Sequence, residues 1–330
     1  MDDDLIELMR QADPARTTAI DRYELEIRSE LRRITQRSLA KQDLRTRTRW
    51  PWFAVPAVVV AVVVVAVLTQ MWNPPYPVAA ATPPRLVRSR TSLDVGGAMD
   101  RALSQLTPID SDEAQRCANL EGWYLQTEIG TGSQSASVVS PQEQELIWNE
   151  HLAGTITLTA GRSYVLAEGS PSAPCDANAP TPGTVLSRDT FPAGEMPVLF
   201  QTPPPSTAPE MRRYLAATLA IDFDADAVDY LSAVRVLMSE WTLSSAQQAA
   251  VLSTLRELDG LDVAGEVTDR LGRPGIAFRA TSPNSPYFEN LFIVSTETGR
   301  ILALETLYLG GLSELASVPA HSVIDYVAWK

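Results

Sequence analysis

The chain has 330 residues, 45% of them hydrophobic, and a formal net charge of −13, which is room for two or three domains and enough apolar matter for a real core. The charge is uneven: residues 1–50 hold 11 Lys+Arg against 10 Asp+Glu, and residues 73–330 hold 16 against 30. That acidic balance argues against nucleic acid as a partner of the larger part, because displacing phosphate counterions takes clustered cations.

In residues 1–50, Asp13-Pro14 reads as an N-cap followed by proline at the first helical position. Ile20, Tyr23, Ile27, Leu31 and Ile34 then recur at helical spacing, with acids and arginines on the opposite face. A lone helix over about residues 14–40 has no core to cover this stripe. Its partner is therefore the groove of another protein, a second copy in a coiled coil, or the inner membrane leaflet. A frayed juxtamembrane helix held to anionic lipid by its basic end is the plainest alternative.

Residues 52–71 form an apolar run without charge. As a helix they reach about 30 Å, the thickness of a bilayer's hydrocarbon. Trp50, Trp52 and Trp72 flank the run, where indoles favour the interface. Arginines and Lys41 crowd its N-terminal side, and the next charge after it is Arg85. The positive-inside rule then predicts a single-pass protein of the cell membrane, with residues 1–50 cytoplasmic, 51–72 spanning and 73–330 outside. A cleaved signal peptide fits less well, since about 50 residues precede the apolar run.

Residues 73–91 carry five prolines and read as an extended spacer. Residues 92–330 read as one extracytoplasmic domain. A helix is expected at 97–106, strands at 122–128 and 145–152, and a hairpin of 155–158 with 163–167 turning at Gly161. A long proline-rich excursion follows at 169–207. Helices come next at 208–219, 226–241 and 244–258, the last opened by Ser244 and closed by Gly260. Five strands end the chain: 262–268, 275–280, 290–295, 301–306 and 323–329. Turns at 269–274 and 296–300 join the middle ones, with Gly299 supplying a positive φ. This order implies an α+β domain, an antiparallel sheet with helices on one face. At fold level it is reminiscent of the half-barrel of periplasmic lipoprotein carriers.

Chemistry-bearing patterns are sparse. Cys117 and Cys175 face an oxidising compartment on this topology; a disulfide between them closes a loop of about 60 residues and stabilises by roughly 4 kcal/mol. Asp222, Asp224, Asp226 and Asp229 lack the glycine and glutamate of a calcium loop and read as acids at a helix N-terminus. His151 and His321 have no nucleophile motif beside them. Trp123, Tyr124, Trp148, Tyr164 and Trp241 read as core. We therefore expect no enzyme, no metal and no cofactor.

Three stretches carry a resemblance: residues 203–216 (PPPSTAPEMRRYLA), 255–277 (LRELDGLDVAGEVTDRLGRPGIA) and 293–304 (IVSTETGRILAL). They are similar to a family of uncharacterised single-pass membrane proteins of high-GC Gram-positive bacteria. The chain departs from the family pattern at Ala208, Asp259 and Ser295. The family's genes often lie beside sigma-factor genes, which implies a regulatory, anti-sigma-like role with a sigma factor as the cytoplasmic partner. Both histidines and both cysteines lie beyond the span, which excludes the zinc-binding version of such a cytoplasmic helix. The alternative is a tethered envelope module that binds a lipid or cell-wall fragment without signalling.

Overall fold

The computed structural model describes residues 82–106, 113–125, 138–165 and 180–330. The expected cytoplasmic helix with Ile20, Tyr23, Ile27, Leu31 and Ile34, the membrane span and Cys175 all lie outside them. No helix among the described residues is long and apolar enough to cross a membrane.

Residues 78–330 form one compact unit. Its elements are α1 (Val95–Gln105), β1 (Cys117–Tyr124), β2 (Val138–Val139), β3 (Gln142–Trp148), β4 (Gly154–Ala160), β5 (Tyr164–Val165) and β6 (Val185–Phe191). Then come α2 (Ala208–Leu219), α3 (Ala227–Glu240), α4 (Ser245–Arg256), β7 (Leu261–Thr268), β8 (Pro274–Ser282), β9 (Ser285–Ser295), β10 (Ile301–Tyr308) and β11 (Ser322–Trp329). Nine strands make one open antiparallel sheet in the order β6-β4-β3-β1-β11-β10-β9-β8-β7, while β2 and β5 pair apart. The first and last long strands meet in the middle, Leu120 opposite Trp329, and join the two halves of the sheet.

Two of the three consecutive helices, α3 and α4, begin where side chains satisfy free backbone amides. Asp226 accepts from Val228 and Asp229 N–H, and Ser244 with Gln247 forms a reciprocal capping box on α4. α2 has a proline in its first turn and closes on Ala220 in the left-handed region. α3 presents Leu231, Val234, Leu237 and Met238 to the core, with Trp241 just beyond its end. These residues pack with Phe278, Phe292, Val294, Leu304 and Val327 on one face of the sheet.

Side chains alternate along a strand, so the other face of β8–β11 collects the remaining apolar residues. Ala277, Ile293, Leu302, Ala303 and Ala328 form one buried group with Val267, and Leu291, Leu307, Val323 and Tyr326 form another. The helices are all drawn to the first face, and a short extended segment covers part of the second.

The chain from α2 to β11 follows the sequence reading closely, including both hairpins, the end of α4 before Gly260 and the positive φ of Gly299. The first half differs. β1 begins and ends earlier than expected, and β3 stops at Trp148, so His151 lies in a turn instead of a strand. That turn is held by the Asn149 side chain, which accepts from His151 and Ala153 N–H, with Leu152 at φ 53°. β4 does not pair with residues 163–165, the described part of the expected second strand. Its neighbours are β3 and β6, and Tyr164 and Val165 pair with β2. The strand β6 was expected to be part of a surface excursion.

Candidate functional site: a clasp at the sheet edge

Residues 82–94 pass over one edge of the sheet and touch both of its faces. At the edge itself, Ser89 and Glu266 of β7 exchange backbone hydrogen bonds of 2.8 and 2.9 Å. The approach needs Gly265: a β-carbon there would stand 2.3 Å from Ser89 O, and its φ is +132°. The ladder bulges at this point, between Val263 and Gly265. Pro83 is buried, Leu86 packs on the Val267–Ala277–Ile293 group, and Val87 points outward at 85% exposure.

Two arginines complete the seat. Arg270 Nη1 donates to Pro84 O at 2.7 Å, and Arg88 Nη2 meets Glu289 Oε1 at 2.6 Å. Beneath the segment, Glu305 of β10 is fully buried and takes a two-pronged bond from Arg270, at 2.7 and 3.0 Å. The same guanidinium lies 5.1 Å from the Tyr326 ring, and Tyr326 Oη donates to Glu121. Burial pushes the Glu305 carboxyl above its ordinary range; the Arg270 and Arg88 charges oppose this, and Asp269 adds to it.

Beyond Ser89 the chain turns to the helical face. Asp94 caps α1 by accepting from Gly97 N–H, and α1 buries Ala98, Met99 and Ala102 against α4 and β7. The edge strand β7 is thus gripped from both sides. Both Glu305 oxygens are occupied by Arg270 and sealed from solvent, so the arrangement is suited to fastening a chain.

The residues singled out in the sequence fall elsewhere. Cys117 opens β1 half-buried, its Sγ 3.6 Å from Gln115 Oε1 and Thr242 Oγ1; its expected partner, Cys175, lies outside the described residues. His151 Nε2 is 3.8 Å from Glu150, with both side chains in solvent. His321 adopts φ 63°, its N–H bonded to Tyr308 O. Asp226 is a helix cap that also accepts from Ser282. Among the described residues no group of His, Cys, Asp and Glu could hold a metal ion. Trp148 and Trp241 are core residues in edge-to-face contact, and Tyr124 is exposed instead. Of the clasp, only Glu305 left a signal in the sequence: a lone carboxylate in the apolar run ILALETLY.

The two best-formed depressions among the described residues are open clefts, one at the β3–β4 turn and one beside Tyr214. No family model, curated protein or solved structure matches the chain.

Proposed function

We propose that the chain is a membrane-anchored sensor or regulator of anti-sigma-like type. Residues 52–71 anchor it in the bilayer. The domain beyond them meets an envelope ligand, and the stripe Ile20, Tyr23, Ile27, Leu31 and Ile34 engages a cytoplasmic protein such as a sigma factor. The observation that carries the reading is the clasp. The chain arriving from the N-terminal side is fastened into the sheet by main-chain pairing, an apolar seat and two arginine bonds. A chain that served only as a tether has no need of such a fastening. The uncovered apolar stripe and the three resembling stretches support it further.

The test is a photoreactive residue in place of Ile27 of the full chain, irradiated in cells. The expected product is one dominant adduct with a sigma factor or another specific cytoplasmic protein. Adducts with lipid alone would sink the proposal.

A second reading, the tethered envelope module with a carrier-like half-barrel, has one observation in its favour. Tyr124, Phe288 and Asn290 share the helix-facing side of the sheet, lie outside the helix-packed core and stay partly exposed. Mass spectrometry of the gently purified full chain tests it, a co-purifying lipid or cell-wall fragment being the expected result.

A further inference from the structure

The segment seated in the clasp is bound as a separate peptide would be. Main-chain pairing to an edge strand, a pocket for one apolar side chain and ionic contacts on either side are the usual means of strand addition. Its contacts are remote in sequence: Arg88 and Glu289 are 201 residues apart, and Arg270 and the Pro84 carbonyl 186. The connection to α1 is short and open, with Arg90 and Ser92 exposed. If the segment leaves, β7 becomes a bare edge that calls for another strand.

Charge says what that strand would be. Residues 85–90 read RLVRSR, three arginines and no acid, whereas residues 73–330 as a whole hold 16 basic and 30 acidic residues. A basic arm on an acidic domain is attracted to the same domain of another copy. Reciprocal exchange of such arms keeps every clasp contact, so the loss of freedom on association is the main term against it. We propose that the β7 groove is an exchangeable docking site, and that its second occupant is the 82–90 segment of another copy of this chain. The pair formed would be a symmetric dimer joined by two crossed arms. This does not depend on the sensor reading.

Charge reversal tests it in the full chain. Arg88→Glu and Glu289→Arg each place like charges in the cis clasp. When the two variants are mixed, each arm meets an opposite charge only in the groove of the other chain. Native mass spectrometry should show the mixed dimer in about tenfold excess over either like pair. Association through the anchor would give the random proportion instead, and that result overturns the proposal. Should either variant fail to fold, unaltered light and heavy chains carrying photo-leucine give the same answer. Cross-links from Leu86 of one isotope to β8 or β9 of the other are expected, and cross-links only within one isotope would refute exchange. Neither result bears on the Ile27 adduct, so the two proposals fail separately.

Discussion

Glu240 and Glu305 are both buried carboxylates, and they are stabilised in different ways. Glu305 faces a cation. Glu240, at the end of α3, faces none of the clasp's charges; its two oxygens accept the backbone N–H groups of Leu199 and Phe200 at 2.9 and 2.8 Å. The adjoining indoles add bonds of Trp148 Nε1 to Glu240 O and of Trp241 Nε1 to Phe200 O, so the 196–200 stretch is pinned to the helices. Burial pushes the Glu240 carboxyl up to about 7, although the two N–H bonds pull the other way. The unfolded chain titrates near an ordinary glutamate value of about 4.3. The folded state therefore holds the extra proton between these values. The stabilisation is complete below the unfolded pKa and is lost as pH rises through 7. In Glu240→Gln the amide NH2 must face one of the two N–H groups, at a cost of about 1–3 kcal/mol. Urea unfolding should show the wild type gaining about 2–3 kcal/mol on the variant between pH 8 and pH 5. A gap that stays constant with pH would mean that Glu240 does not titrate in this range.

Single glycines separate local strain from contact between elements. Gly299, in the β9–β10 turn, has φ 69°, and a β-carbon there would lie 2.0 Å from Ala102 O of α1. Gly272, in the β7–β8 turn, has φ 82° with nothing near it. Gly272→Ala should cost about 1–2 kcal/mol, the left-handed penalty alone. Gly299→Ala should cost more, about 3 kcal/mol or above, because α1 must also move. Equal losses in denaturant titrations would show that α1 yields freely. Both turns were legible in the sequence, as were α2 to α4, because turn glycines and caps act over a few residues. The edge strand β6 was not. Its side chains are mostly exposed, so it lacks the alternation that marks a strand, and only its pairing with β4 makes it one. The clasp was hidden for a related reason. A proline-rich basic stretch reads as a spacer, and what seats it are partners such as Glu266, Arg270 and Glu289, far along the chain. The end of β3 was missed because the turn after Trp148 is made by a side chain, that of Asn149.

At the scale of the whole domain, the two edges of the open sheet are protected differently. Among the described residues no strand lies outside β6, which carries Arg188 and Asp189, and the β4 ladder beside it is irregular at Leu158/Thr159; charges and irregular pairing both discourage further strands. β7 is covered by the chain's own clasp. The covering rests on few buried groups, since only Pro83 and Leu86 contribute much apolar area, so it should open well before the core does. Hydrogen exchange of the full chain should find the Ser89 and Glu266 amides less protected than those of Phe292, Ile293 and Ala303 in the centre of the sheet. Leu86→Asp removes the apolar seat and sets a carboxylate among buried alanines and Ile293. It should cost about 1–2 kcal/mol and speed exchange at Ser89 and Glu266 by roughly tenfold, with the central strands unchanged. If the variant instead lowers protection throughout β8–β11, the clasp is an inseparable part of the core. An unaltered rate at Ser89 would mean that the arginine bonds alone hold it.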